Sequence, residues 1–333
     1  QGGTLVAARN DMQLARAKTE LAEHRHHNLP ENHLTLLSAT EFSDRANIAD
    51  VLGGTFTPNC AAINPLKLVM GLAQVLESLG VRIYEDTTVL DFLPHQIRTE
   101  TAKVSAKYIV RATEGYTSGL PNARRKVAPV YSLMLATEPL SQAVWQEIGL
   151  RQRETFSDFR NLVIYGQRTA DNRIAFGGRG APYHFGSSIK SEFDQNAQVH
   201  QLLKQTLVDL FPALPDVRIT HTWGGPLGVA RDWMASCGLD SKSGIAWAGG
   251  YVGDGVNTSS LAGQTLAHLI TETESKLTSL PWVNYQSRQW EPEPLRWLGV
   301  NSALWAVKHA DNLEQKSGKS SKLLNLINRA TSG

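Results

Sequence analysis

The sequence predicts a mixed α/β fold in which an open α/β sheet is interleaved with an antiparallel β-sheet domain. Strand-like and helical patterns alternate in the first third of the chain and again after residue 226, as they do in α/β sheets. Between these parts, short β-rich runs are separated by turn residues, which is typical of antiparallel sheets. At 333 residues the chain is long enough for two domains of ~150 residues each.

The first third of the chain supplies strands and helices in alternation. Thr4–Ala8 is predicted to be a strand, and a helix is predicted over Asp11–His27. The best-marked helix of the chain follows Asn64, whose side chain can cap it, and stops at Gly80. The alternating residues just after Gly80 and the apolar run Tyr108–Ala112 predict strands of the α/β sheet.

The middle of the chain is rich in strand patterns. The predicted strands of the antiparallel sheet include Val130–Thr137, Asn161–Gly166 and Arg173–Gly178. One amphipathic helix over Ser191–Leu210 interrupts them and stops at a proline. Val217–Trp223 is a further predicted strand, which leads the chain back to the α/β sheet.

The stretch Gly249–Ile270 is the feature around which the other predicted elements are arranged. A short apolar strand precedes it, and glycines are dense over its first residues. A helix follows, and its start is marked by Asn257, Thr258 and Ser259, whose side chains can accept from the first free amides. A helix start offers free amide groups and a partial positive charge of roughly half an elementary charge. A phosphate, a carboxylate or a reduced flavin ring would suit this position, and so would a tight connection with no ligand.

Charge and composition exclude several classes of partner. Lys and Arg total 33 against 31 Asp and Glu, a net charge of +2 that predicts no nucleic-acid partner. No apolar run approaches the ~20 residues of a membrane helix, and two cysteines far apart in sequence are typical of a reducing compartment. We therefore expect a cytoplasmic protein without a membrane span.

The cluster His24, His26 and His27 has no carboxylate or cysteine to complete a coordination shell, and we predict no metal site.

Sequence motifs exclude several chemistries and indicate one family. The patterns G-x-x-x-x-G-K-[ST], G-x-S-x-G and H-E-x-x-H do not occur, which excludes the nucleotide hydrolases, serine hydrolases and zinc proteases that use them. Four segments, in order, resemble the FAD-dependent oxidoreductases of the D-amino-acid oxidase/glycine oxidase (DAO) family: GGTFTPNCAAINPLKLVMGLAQVLESLGVRIYEDTTV, IVRATEGY, WGGPLGVARDWMASCG and GGYVGDGVNTSSLAGQTLAHLI. The likeness spans Gly2–Thr273 and is greatest for the branch similar to γ-glutamylputrescine oxidoreductase.

The resemblance implies a domain organisation. An FAD/NAD(P)-binding Rossmann-like domain would comprise residues 51–126 and 226–275, a substrate domain with the antiparallel sheet residues 1–50 and 127–225, and a helical tail residues 276–333. In the family an amino-terminal βαβ unit with the fingerprint G-x-G-x-x-G holds the ADP half of FAD. That fingerprint does not occur here, so we expect an incomplete Rossmann-like domain, as in the carboxyl-terminal part of a longer enzyme.

The resemblance also implies which residues contact FAD and the substrate. The loop along the flavin ring matches Gly250, Gly253, Asp254, Gly255, Val256, Asn257 and Thr258. The adenine side matches Val89, and the segment near the pyrophosphate and ribose matches Ala112, Thr113, Glu114 and Gly115. The polar substrate candidates, each of which could equally serve loop packing or an ion pair, are Arg179, Tyr183, His184 and Arg231.

The function implied by the resemblance is oxidation of a C–N bond of an amine or amino acid to an imine, with hydride transfer to N5 of FAD. Members that oxidise amino acids often carry an arginine for the substrate carboxylate in an L-R-P-like string, and here that string is Leu227-Gly228-Val229. We therefore favour an amine as the small-molecule substrate. No side chain stands out as a catalytic base. The alternative is a catalytically incompetent remnant or interaction module that keeps the scaffold and binds FAD poorly.

Overall fold

The computed structural model describes residues 1–318 and residue 321, with the side chains of Arg179 and Ser317 outside the description. The strands of this part are β1 Thr4–Ala8, β2 Thr35–Ser38, β3 Gly53–Thr57, β4 Val89–Leu93, β5 Gln96–Thr99, β6 Lys103–Ser105, β7 Ile109–Arg111, β8 Ala128–Thr137, β9 Thr155–Asp158, β10 Ile164–Arg168, β11 Ile174–Arg179, β12 Ile219–Val229, β13 Ser236–Asp240 and β14 Ile245–Gly249. The helices are α1 Asp11–His26, α2 Ala39–Ser43, α3 Pro65–Ser78, α4 Gln142–Ile148, α5 Ala197–Leu210, α6 Gly255–Ile270 and α7 Leu295–Ser317.

The largest element is an eight-stranded sheet in the order β12-β8-β11-β10-β9-β1-β3-β2. All neighbouring strands are antiparallel except β1 and β9, which run parallel. Parallel neighbours need a crossover connection, and the long excursion from β1 to β9 contains several other elements. The mixed α/β class predicted from the sequence is confirmed.

The two faces of the large sheet differ in what covers them. Tyr131, Leu133 and Leu135 of β8 belong to an apolar cluster that also contains Phe42 of α2 and Leu207 of α5. Successive residues of a strand point to opposite faces, so the residues between them point away from these helices. Helices therefore cover one face, and β8 presents different side chains on the second face.

A smaller three-stranded sheet in the order β13-β14-β7 supports helix α6. Strands β14 and β7 run parallel, and β13 and β14 form an antiparallel pair. Ala246 and Ala248 of β14 pack with Ala262 and Leu266 of α6 in an apolar cluster. The small alanine side chains let the helix lie close to the sheet. A third sheet, β4-β5-β6, is an antiparallel meander.

Three elements differ from the sequence expectations. Gly53–Thr57 joins the large sheet between β1 and β2, so the expected domain boundary at residue 51 does not coincide with a sheet boundary. The predicted helix over Ser191–Leu210 begins only at Ala197, because Asn196 is extended and caps it. Residues 81–85 form no strand and pair with no strand of the described residues.

Helix α3 forms as predicted but lies on the outside of the molecule. Asn64 accepts a hydrogen bond from the amide of Lys67 and so caps the helix start. None of its residues is buried, although most of them are apolar. Leu66 is 69% exposed and Leu79, just after the helix, is 75% exposed. The helix therefore forms from local signals without a partner among the described residues.

The carboxyl-terminal helix α7 is fastened to the body by polar side chains. Asp311 accepts hydrogen bonds from the amides of Asn161 and Leu162 at 2.7 and 2.8 Å. Lys308 Nζ donates to the carbonyl of Gly180. Within the described part of the chain, no helix has the length and apolar character needed to cross a membrane.

Candidate functional site

The loop between β14 and α6 has a backbone that favours glycine. Gly250 and Gly253 have φ of +77° and +104°, a region that side chains with a Cβ rarely adopt. Val252 has φ of +56° and is held there by burial in a cluster with Val130 and Val229 of the large sheet. Positive φ at a non-glycine residue costs free energy and is enriched at functional sites.

Glu114 ties this loop to two other segments. Its Oε2 accepts a hydrogen bond from the amide of Gly250 at 2.8 Å. Its Oε1 accepts from the amides of Tyr251 at 3.2 Å and Gly228 at 3.1 Å. One carboxylate thus joins the segment after β7, the glycine loop and the edge strand β12. Glu114 itself has φ of +40°, so its own backbone is constrained as well.

The charge state of Glu114 reflects two opposing effects. Burial disfavours the ionised form, while the amides of Gly250, Gly228 and Tyr251 and the charge of Arg111 favour it. Burial is the largest of these influences, and the pKa of Glu114 is raised above its ordinary value. Arg111 is affected by the same burial, which lowers its pKa.

The amino terminus of α6, like that of α7, has no side-chain cap, whereas the starts of α1, α3 and α5 are capped. Asn10, Asn64 and Asn196 each accept a hydrogen bond from the first turn of α1, α3 and α5. Asp254 occupies the equivalent position of α6 and makes no such bond. Val256 in this turn is 50% exposed. The first amides of α6 therefore face outward without a side-chain acceptor, and their donors and partial positive charge suit the electron-rich edge of a flavin ring.

The structure brings some of the predicted cofactor residues together and places Val89 in a different sheet. Glu114 bonds to the glycine loop, and Gly115 lies so close to the backbone of Pro226 that a Cβ would approach its carbonyl oxygen to 2.5 Å. Ala112 and Thr113 precede them directly after β7, and Gly250 to Thr258 are contiguous with the start of α6. Val89 lies in β4 of the meander, paired with Thr99. Contact with FAD stays a prediction for all of them.

Tyr183 is buried, and its hydroxyl is engaged within the protein. The hydroxyl donates to Glu293 Oε1 at 2.7 Å and lies 2.9 Å from Ser187 Oγ. Burial raises the pKa of Tyr183 to about 12, so the phenol stays protonated at neutral pH. Tyr183, a predicted substrate residue, therefore lies between the large sheet and the tail.

The other substrate candidates that the structure describes each contact a different protein group. His184 stacks on Phe193 with ring centroids 3.5 Å apart, and burial lowers its pKa. Arg231 pairs with Glu291 at 3.1 Å and lies over the ring of Trp290. Arg179 ends β11, and its side chain lies outside the described part of the structure. Their contacts with a substrate stay predictions.

Sequence reasoning missed a row of side chains on the second face of the large sheet. Gly177 of β11 pairs with Tyr165 of β10 on one side and with Met134 of β8 on the other, and Met134 pairs in turn with Trp223 of β12. Because directly paired residues share a face of the sheet, these side chains form one row. The hydroxyl of Tyr165 lies 2.6 Å from Ser132 Oγ on the same face. The alternation of apolar and other residues along β8 was a signal for this face, but the register between strands was not readable from the sequence.

Comparison with known proteins now identifies the family. The family model described as FAD dependent oxidoreductase (DAO) matches residues 1–269. The chain belongs to the DAO family of FAD dependent oxidoreductases. The match contains the glycine loop, Glu114 and the large sheet, and ends inside α6, so α7 lies beyond it.

Relatives and solved structures agree with DAO family membership. The chain is 30% identical over 268 residues to the protein named probable oxidoreductase OrdL from Haemophilus influenzae, covering 78% of this chain and 59% of the relative. It is 28% identical to γ-glutamylputrescine oxidoreductase from Escherichia coli, covering 80% of this chain and 61% of that protein. The chain thus spans less than two thirds of these relatives' length.

Two crystal structures show the same fold at lower sequence identity. Glycine oxidase from Geobacillus kaustophilus superposes with a TM-score of 0.73 at 19% identity, covering 86% of this chain and 75% of that one. L-proline dehydrogenase from P. horikoshii superposes with a TM-score of 0.69 at 19% identity, covering 83% of this chain and 73% of that one. At these identities the likeness shows the fold alone.

Proposed function

We propose that this chain provides the flavin-ring side of an FAD site in an enzyme that oxidises a C–N bond of an amine or amino acid to an imine. DAO family membership and the names of its relatives, among them γ-glutamylputrescine oxidoreductase and glycine oxidase, support this proposal. FAD, when bound, supplies the hydride acceptor that this oxidation needs. A small molecule is the expected partner, and a cytoplasmic location remains part of the prediction.

The observation that carries the proposal is the uncapped start of α6 beside a loop braced by Glu114. The outward-facing amides of Gly255 and Val256 would donate to the flavin ring and stabilise negative charge on it. Glu114 would keep the loop in a fixed conformation by occupying the amides of Gly250 and Tyr251. A preformed set of donors costs little reorganisation when the cofactor binds.

The second face of the large sheet is the surface on which we place the substrate. The hydroxyls of Ser132 and Tyr165 offer hydrogen bonds, and Met134 and Trp223 offer apolar and aromatic surface. An alkyl amine suits this combination, because the apolar chain packs on the aromatic ring while the nitrogen bonds to a hydroxyl. The segment Leu227–Val229 supplies no arginine for an α-carboxylate, which also favours an amine.

The alternative function is a catalytically incompetent remnant or interaction module on the same scaffold. One observation favours it: α3 exposes most of its apolar side chains and buries none of its residues. A helix of this composition normally covers a core, so its exposed face would serve to bind another polypeptide surface.

An FAD titration of the 333-residue chain with two glycine variants tests the proposal. Gly255→Val places a branched side chain at the first turn of α6, where a Cβ would meet only Tyr251 at 3.7 Å, so the fold tolerates it. Gly263→Val makes the same change later in the same helix, where a Cβ would meet nothing within 4 Å. We expect quenching of FAD fluorescence with the unmodified chain and Gly263→Val, and loss of quenching with Gly255→Val.

Two outcomes would count against the proposal. Equal FAD affinity of the two variants would show that the start of α6 does not contact the cofactor. No FAD binding by the unmodified chain, with cooperative thermal unfolding intact, would favour the interaction module.

A further inference from the structure

A cavity of ≈ 300 Å³ lies on the far side of the β7–β14 pair from α6. Ala246 and Ala248 face α6, so Ile245 and Trp247, which alternate with them, point to the other side of the sheet. These two side chains line the cavity together with Phe92 of the meander. The cavity therefore has an aromatic and apolar wall of the kind that small-molecule sites use.

Two positively charged side chains line this cavity. Arg111, the last residue of β7, and Lys126 both face it. Arg111 donates to Thr117 Oγ1 at 3.0 Å, and Lys126 Nζ donates to Gln286 Oε1 at 2.9 Å. Both acceptors are neutral. The ion pairs found among residues 1–318 include neither Arg111 nor Lys126.

The surroundings offset the positive charge only in part: Glu114 acts on Arg111, and no carboxylate in the described part of the chain acts on Lys126. Within the described residues, no aspartate or glutamate lines this cavity or the smaller one that adjoins it. The oxygens of Glu114 are held by hydrogen bonds from the amides of Gly228, Gly250 and Tyr251. Two partly buried like charges with one nearby carboxylate are costly, and a bound anion reduces that cost.

Protonation behaviour agrees with this geometry. Burial lowers the pKa of Lys126, and the neighbouring charge of Arg111 lowers it further. Burial also lowers the pKa of Arg111. Both cations are therefore in surroundings that disfavour their charge, as expected where an anionic ligand normally provides the balance.

We propose that this cavity binds a phosphate-bearing anion, with a phosphate or pyrophosphate group between Arg111 and Lys126. The planar guanidinium presents a fork of donors that matches phosphate oxygens, and the ammonium adds a point charge. The ring of Trp247 lines this cavity of ≈ 300 Å³ and would pack against a small ring or sugar attached to the phosphate. The inference rests on these residues alone and does not depend on the proposed oxidation.

The phosphate can come from two sources. The adjoining smaller cavity shares Arg111 and Lys126 and is lined by Gly249 and Gly250, so the site lies beside the glycine loop. The phosphates of an FAD molecule bound at that loop are one source. A separate phosphate-bearing compound that regulates the protein is the other.

The test is calorimetric titration of the full chain with inorganic pyrophosphate in the absence of FAD. Lys126→Gln and Arg111→Gln remove one charge each and keep hydrogen-bonding side chains. Lys107→Gln is the matched control, because Lys107 is exposed and lies over the ring of Tyr108, outside the cavity. We expect saturable binding by the unmodified chain and by Lys107→Gln, and a loss of affinity of about tenfold or more in each cavity variant.

The outcomes separate the possibilities. Absence of binding by the unmodified chain, or equal affinity of Lys126→Gln and Lys107→Gln, would overturn the proposal. If Arg111→Gln fails to fold, Lys126→Met provides a second charge removal, with the same loss of affinity expected. When pyrophosphate binds, competition by FAD assigns the site to the phosphates of FAD, and simultaneous binding of both assigns it to a separate ligand.

Discussion

At the scale of single residues, Glu114 has the largest structural consequence for the candidate site. Its carboxylate accepts three backbone amides from two segments that are more than a hundred residues away in the sequence. A buried N–H group without an acceptor costs about 1–3 kcal/mol, so losing this side chain exposes several groups to that cost. Glu114 therefore acts on the glycine loop as a positioning residue.

We predict that Glu114→Gln lowers the free energy of unfolding by about 1–3 kcal/mol. Glutamine keeps one acceptor oxygen and places an NH2 group against an amide that needs an acceptor. Urea denaturation at neutral pH measures the change. Glu147→Gln on the surface of α4 is the control, with an expected change within about 0.5 kcal/mol. Equal midpoints for the two variants would contradict the structural role of Glu114.

The difference in free energy of unfolding between the unmodified chain and Glu114→Gln should depend on pH. The pKa of Glu114 is raised above the ordinary glutamate value of 4.5, so the folded state binds this proton more tightly than the unfolded state. Its contribution to stability is fully present below that ordinary value and declines as pH rises toward the raised pKa. The stability advantage of the unmodified chain over Glu114→Gln should therefore shrink as pH rises above 4.5, and an advantage that grows would contradict the direction of the shift.

At the scale of elements, local signals identified α3 but did not determine which strands pair. The cap Asn64 and the stop at Gly80 are sufficient for α3, because helical hydrogen bonds form within the segment. A strand needs a neighbour, and residues 81–85 have none among the described residues. The inclusion of Gly53–Thr57 in the large sheet was also unpredictable, since it depends on pairing with β1 and β2.

The exposed face of α3 predicts self-association of the chain. Contiguous apolar side chains in water associate, and light scattering over a range of concentrations should show species larger than a monomer. Leu72→Glu should reduce this association without lowering the free energy of unfolding, because Leu72 is 55% exposed. Leu202→Glu on α5 is the matched control, since Leu202 is also 55% exposed. A monomer at every concentration, or an equal effect of the two variants, would contradict the prediction.

At the scale of the whole molecule, the sequence predicted contiguous parts of the site and not the pairings that complete it. The glycine loop and the segment with Glu114 were recognisable as local patterns, and the structure joins them. Tyr183 was selected for its chemistry, yet its position depends on Glu293, a partner 110 residues away. The pair Ser132 and Tyr165 depends on strand register across the large sheet, which no local pattern specifies.

Helix α7 lies beyond the family match yet forms hydrogen bonds with the segment between β9 and β10 of the large sheet. Asp311 satisfies the amides of Asn161 and Leu162, which lead into β10. We predict that Asp311→Ala lowers the free energy of unfolding by about 1–3 kcal/mol, since these amides lose their acceptor. Asp216→Ala at an exposed position is the control and should change it by less than about 0.5 kcal/mol.

Hydrogen exchange separates this local effect from general destabilisation. If α7 is held by Asp311, the amides of Asn161 and Leu162 should exchange faster in Asp311→Ala while the amides of β8 in the sheet centre change less. The variant loses an acceptor at one end of the sheet, so opening should begin there. Unchanged exchange at Asn161 and Leu162, together with an unfolding midpoint equal to that of Asp216→Ala, would show that the tail is held by its apolar contacts instead.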